Sequence, residues 1–208
     1  MRKYLLGLAG FVLAFGILGI SFFKSASIRY AYAAPTPPPS TSTEPQTPVV
    51  EYLLPYPGRV LPDSPFWMLK AGRDAVWYKL SFNPLKRAEI ALLFSDKRLL
   101  MSKSLFENKK PDIGFSTLSK GEKYLEIALL DENTARENGM DTSEFLTKLA
   151  NASLKHREVL EEILILAPED AKPGIITLKI YSKNAYKMSG EVLTSKGISV
   201  PKSPFIGD

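Results

Sequence analysis

The chain has 208 residues, 27 basic against 22 acidic for a formal net charge of +5, one histidine and no cysteine. Without cysteine there is no disulfide framework, thiolate metal site or cysteine nucleophile, so stability must come from a packed core. Four of the basic residues, Arg2, Lys3, Lys24 and Arg29, lie in the first 33 positions beside no acid. The remaining 23 to 22 balance lacks the basic footprint that nucleic acid requires.

Residues 1–33 read as a signal peptide or membrane anchor. The uncharged apolar run 4–23 follows Arg2 and Lys3, and twenty residues at about 1.5 Å each match a bilayer core of about 30 Å, whereas a secretory apolar region is usually about 7–15 residues. That length favours a retained anchor, a transmembrane helix through residues 4–23 with the rest of the chain outside the cytoplasm. The pattern Ala31-Tyr32-Ala33 keeps the alternative open, secretion after cleavage near Ala33. Residues 34–50 hold six prolines, four threonines and two serines, the composition of a semi-rigid, extended linker.

Residues 51–196 are the size of one domain. Pro55, Pro57, Gly58 and Pro62 break regular structure over an extended clasp, after which Ser64 and Pro65 start a short helix reaching about Leu80. From 83 to 109 the stripe Leu85, Ala88, Leu92, Ser95, Leu99, Ser102, Phe106 has helical spacing, with Asn83 as cap and Pro84 in the first turn. A second long helix begins at Asp112, carries Leu118, Gly121, Leu125 and Ala128, and ends at Gly139. Asp141 and Glu144 suggest a capping box for a third, whose stripe is Phe145, Leu149, Ala152, His156, Val159, Ile163, Leu166 up to Pro168. A fourth, from about Gly174 to Ser195, repeats the spacing with Leu178, Tyr181, Ala185, Met188 and Val192 before Gly197. Residues 197–208 read as a flexible tail.

Short links between long amphipathic helices predict an all-α fold. Four long helices form an up-down antiparallel bundle, preceded by the Pro-rich clasp and short helix and, further upstream, by the apolar membrane helix. The segments Leu54-Pro55-Tyr56-Pro57-Gly58 and Leu61-Pro62-Asp63-Ser64-Pro65 are distinctive. With Asn83 to Glu89, Asp96-Lys97-Arg98-Leu99, His156 to Leu160 and the 168–174 link, they resemble a bacterial domain of unknown function, family 5667. That resemblance implies an exported or membrane-tethered helical protein and supplies no catalytic residue.

No catalytic, cofactor-binding or metal-binding residue stands out. His156, alone on a buried stripe, reads as a satisfied core histidine, since zinc needs further His or Cys ligands. The run Asp131, Glu132, Asn133, Glu137, Asn138, Asp141 hints at calcium, but Ala135 and Arg136 occupy loop positions that need an oxygen ligand and a glycine, so it reads as a solvated helix end. No G-x-S-x-G elbow supports a serine nucleophile. The candidate interaction surface is Tyr56, Pro57, Gly58, Pro62, Trp67, Trp77 and Tyr78. The density of restricted and aromatic residues favours their packing across the bundle end, and the other reading leaves them open to a partner. The function predicted is a membrane-tethered or secreted extracytoplasmic module with a non-catalytic interaction, envelope-structural or regulatory role. Its partners would be the membrane itself through 4–23 and an envelope or membrane protein. An uncharacterised extracytoplasmic enzyme or metal-handling bundle is the alternative.

Overall fold

The computed structural model describes residues 49–205, within the compact unit Thr43–Asp208. The apolar run 4–23, Ala33 and most of the 34–50 linker lie outside the described residues. Among those described there are five helices and no strand: α1 Trp67–Lys79, α2 Pro84–Glu107, α3 Pro111–Glu137, α4 Ser143–Leu166 and α5 Lys172–Ser195. None is long and apolar enough to cross a membrane.

The bundle is built from two antiparallel hairpins, α2/α3 and α4/α5, with α2 beside α4 and α3 beside α5. The α2/α3 seam is made by small residues seven apart, Ala88, Ser95 and Ser102 on one helix and Gly114, Gly121, Ala128 and Ala135 on the other. Ser95 and Ser102 donate their hydroxyls to the carbonyls of Gly121 and Gly114, each at 2.8 Å. A Cβ at Gly121 would sit 3.2 Å from Arg98 Cβ and 3.5 Å from the Leu99 nitrogen, so a side chain there would push the two helices slightly apart. The short link 138–142 makes α3 and α4 antiparallel without making them neighbours. They touch little along their length and lie on the bundle diagonal. Adjacent helices α2 and α4 are therefore parallel, as the pairs Asp96–His156 and Lys103–Glu162 show.

The local signals in the sequence hold at several ends. Asn83 Oδ1 accepts the Lys86 amide at 3.0 Å, and Gly139 and Gly197 adopt φ of 77° and 71° where α3 and α5 stop. Leu92, Leu99, Leu149, Val159, Ile163 and Leu178 are all buried. Several expectations need correction. The capping box at α4 does not form, because the N-cap is Thr142, its hydroxyl bonds Glu132 at 2.6 Å, and Asp141 instead accepts from Ser143. In α5 the buried stripe is Ile175, Leu178, Ser182, Ala185, Ser189 and Leu193, and Met188 is half exposed. Small serines take core positions there because they permit close approach, and reading only large apolar residues missed the phase. Leu166, at the last turn of α4, is also nearly half exposed. Finally, residues 197–205 do not trail free. Ile198 donates its amide to Leu193, Tyr186 donates its hydroxyl to the Pro201 carbonyl at 2.7 Å, and the Arg157 guanidinium lies 4.1 Å from the centre of the Phe205 ring.

The clasp runs along the flank of the bundle instead of closing its end. It enters beside the middle of α4 and α2 at Val50 and Tyr52, seats Leu54 against the Leu99, Phe106 and Val159 cluster, and reaches the α2/α3 turn, where Asp63 pairs with Lys110 at 2.5 Å. Helix α1 then returns along the outside to Asp131 near the end of α3. Its first turn starts later than Pro65 suggested, with the Ser64 hydroxyl accepting the Phe66 amide at 3.3 Å.

Candidate functional site

At the centre of the bundle the only histidine joins three helices. His156 of α4 is fully buried, its Nδ1 2.7 Å from Glu122 Oε1 of α3 and its Nε2 3.1 Å from Asp96 Oδ1 of α2. Asp96 Oδ2 accepts the Tyr52 hydroxyl at 2.8 Å, which ties the clasp to the same cluster. Burial alone would lower the imidazole pKa. The charge of Glu122 and the hydrogen bonds to Asp96 and Glu122 outweigh it and hold the pKa at about 9. His156 is therefore an imidazolium at neutral pH, donating from both nitrogens. Burial, reinforced by Asp96, pushes the Tyr52 phenol well above its usual pKa, so it remains a donor.

This geometry determines what the cluster can do. Both imidazole nitrogens are committed to carboxylates, leaving no lone pair for a metal ion and no free nitrogen to activate a hydroxyl. The buried serines nearby bond backbone instead, Ser95 to Gly121 and Ser153 to Leu149. Among the described residues no group of three or more acidic or histidine side chains is arranged to hold a metal. Two acidic side chains share the one imidazolium, and Glu122 Oε2 has no hydrogen-bond partner among the described residues. Such an arrangement specifies one packing of α2, α3, α4 and clasp, because separating any member strands a charge in the core.

A second tie lies next to it. The Val50 amide donates to Glu158 Oε2 at 2.6 Å, and Lys155 donates to Glu158 Oε1 at 2.6 Å while reaching the Val50 carbonyl at 3.4 Å. The chain coming from the linker is thus fastened at its first described residues to the middle of the bundle.

Helix α1 is held at three points. The Lys70 ammonium donates to the Pro57 and Val60 carbonyls at 2.9 and 3.0 Å and lies 5.3 Å from the centre of the Trp67 ring. Gly58, at φ 88°, makes the turn that wraps this ammonium. Asp74, the one buried residue of α1, pairs with Arg73 at 2.7 Å. Tyr78 donates to Asp131 Oδ2 at 2.5 Å, and Arg87 donates to Oδ1 of the same carboxylate. Burial, with the Asp131 hydrogen bond, raises the Tyr78 pKa to about 12. Trp77 meets Phe94 edge-on with ring centres 5.7 Å apart, and Arg98 lies 4.4 Å over Tyr124 beyond.

The sequence-predicted surface residues are therefore divided. Trp77 and Tyr78 face the bundle at intermediate burial, Trp67, Pro57, Gly58 and Pro62 are also partly covered, and Tyr56 is exposed. Exposed instead is the other side of α1 with its flanks: Phe66, Met68, Leu69, Val76, Leu80 and Phe82 are 54–89% accessible. The acidic run is likewise divided. Asp131 and Glu132 are buried and engaged by Tyr78, Arg87, Thr142 and Arg136, which corrects the reading of a solvated helix end, while Glu137, Asn138 and Asp141 are exposed.

Sequence reasoning identified His156 as a core histidine but missed its partners. Asp96 and Glu122 each follow a small seam residue, Ser95 and Gly121, and an acid beside a small buried position is the one signal that could have found them. Comparison with curated proteins and with solved structures found no match. A family model does match, over residues 59–170, a span that contains α1 to α4 and all three helical members of the central cluster. The chain belongs to the family described as a domain of unknown function, DUF5667.

Proposed function

We propose that this chain is a membrane-tethered, extracytoplasmic helical module with a non-catalytic role, displayed on a Pro-rich stalk and working through its surface. The observation that carries the reading is the fastening of Val50 and Tyr52 to Glu158 and Asp96. The stalk joins the folded unit at its centre, so the module is seated as a body and any pull along the stalk reaches all of α2, α3 and α4. The commitment of the one imidazole to two carboxylates supports the non-catalytic part, since no activated base or nucleophile remains there.

The test is a topology and fractionation experiment on the full chain in a bacterial host. Alkaline phosphatase joined after Asp208 is active only outside the cytoplasm, and carbonate washing separates an anchored chain from a peripheral one. An active fusion retained in the washed membrane is the expected result. An inactive fusion contradicts the orientation, and release into the medium of a shortened chain beginning near Ala34 replaces the tether with secretion.

A further inference from the structure

We propose that the exposed face of α1 is a contact surface for an anionic lipid bilayer, so that the tethered module lies against the membrane instead of standing off it. The inference rests on the tether reading above. Its ground is the division of α1 into two faces. Asp74 is buried and Trp77 and Tyr78 meet Phe94 and Asp131 of the bundle, while Phe66, Leu69, Val76 and Leu80 share the opposite side at helical spacing, with Met68 and Phe82 beside them. Six large apolar side chains more than half exposed within seventeen residues is a density that the four long helices nowhere match. Apolar patches of this kind mark interaction sites.

Charge decides the occupant. From Asp63 to Glu89 the chain carries Lys70, Arg73, Lys79, Lys86 and Arg87 against Asp63, Asp74 and Glu89. Lys70 and Arg87 are bonded inward to the Pro57 and Val60 carbonyls and to Asp131, and Lys86 pairs with Glu89. The basic groups beside the exposed apolar face are therefore Lys79 and the half-exposed Arg73, whose partner Asp74 is buried. An apolar face with a basic fringe is the pattern of helices that lie in the plane of an anionic membrane, the apolar side entering about 5–10 Å. A second copy of this chain is disfavoured, because pairing two α1 faces would set Arg73 and Lys79 against their own kind. Chain length permits the contact. Residues 24–48 separate the apolar run from Val49, and at about 3.1 Å each they span at most about 80 Å while allowing any shorter distance.

Because the chain has no cysteine, single positions can be labelled without ambiguity. The full chain carrying Leu69→Cys or, as control, Lys183→Cys on α5 is labelled with nitrobenzoxadiazole and reconstituted in phosphatidylcholine vesicles with or without phosphatidylglycerol. Flotation reports whether the tether inserts, and quenching by doxyl-labelled lipid reports contact at the label. The expected result is quenching at 69 several-fold above that at 183, increasing with phosphatidylglycerol and reduced by Arg73→Glu together with Lys79→Glu. Equal quenching at the two positions in floated vesicles overturns the proposal while leaving the tether intact. Shielding of position 69 in native membranes but not in lipid vesicles would assign the face to a protein partner. Shielding that depends on protein density would assign it to a second copy, and either outcome overturns the lipid contact. A chain that does not float removes the tether reading and this inference with it.

Discussion

Raising the pH from 6.5 to 8 should destabilise the folded unit through His156. The imidazole has a pKa of about 9 in the native chain, raised from 6.5 by Glu122 and Asp96 against its burial. A raised pKa means that the native state keeps a proton that the unfolded chain has released. The stabilisation is complete below 6.5 and is lost as pH rises toward 9. With one proton of difference, the slope inside that window approaches about 1.4 kcal/mol per pH unit, or about 2 kcal/mol from 6.5 to 8. For a unit of this size that corresponds to roughly 4–8 °C in Tm. The window stops at 8 because Lys70 then titrates in the opposite sense. Burial, only partly countered by Asp74, lowers its pKa to about 8, so the native state loses that proton before the unfolded chain does and stability gains with pH. Urea unfolding of residues 43–208, followed by circular dichroism at half-unit pH steps, measures the slope. His156→Gln should abolish it, at a cost of about 3–5 kcal/mol for leaving Asp96 and Glu122 without their shared counter-charge. A flat profile in the native chain, or the same slope in His156→Gln, would refute the imidazolium bridge.

Other consequences follow from the same packing. Tyr52→Phe keeps the ring but removes the donor to Asp96, and should cost about 1.5–3 kcal/mol in the same urea assay. Gly121→Leu should separate α2 from α3 and cost about 1–3 kcal/mol, whereas Gly72→Ala, in an exposed helical position with nothing within 4 Å of the added Cβ, should gain up to about 1 kcal/mol. Leu149→Ala, in the fully buried core, should cost about 2–5 kcal/mol, while Ile180→Ala on the half-exposed face of α5 should stay within about 0.5 kcal/mol.

The sequence made the helices legible because their signals are local. Asn83 and Pro84 start α2, Gly139 ends α3, and the stripe of α4 from Phe145 to Ile163 lies in the core as its spacing requires. What was not legible depends on pairing across the chain. Ser95, Ser102 and Gly121 stood out as small stripe positions that let helices approach closely, but their pairing across the α2/α3 seam, Ser95 with Gly121 and Ser102 with Gly114, could not be read from either helix alone. The same small-residue effect hid Ser182 and Ser189 and shifted the phase of α5. A short link fixes helix direction but not adjacency, so the diagonal relation of α3 and α4 had no local signature. His156 was readable as buried, but its partners Asp96 and Glu122 lie 60 and 34 positions away and belong to runs that look solvent-facing. The two faces of α1 were visible in its spacing. Which one turned inward was settled by Trp77 and Tyr78 finding aromatic and polar partners, Phe94 on α2 and Asp131 on α3.

The most direct test of the account is amide hydrogen exchange at Val50, where the described chain is first fastened to the bundle. Its N–H is donated to Glu158 in a buried hydrogen bond, so it should be protected to the level of core amides in α2 and α4, opening only with global unfolding. Exchange at Val50 as fast as at exposed Lys202, while α2 and α4 remain protected, would show that the chain there is a loose strap and would contradict its fastening to the middle of the bundle.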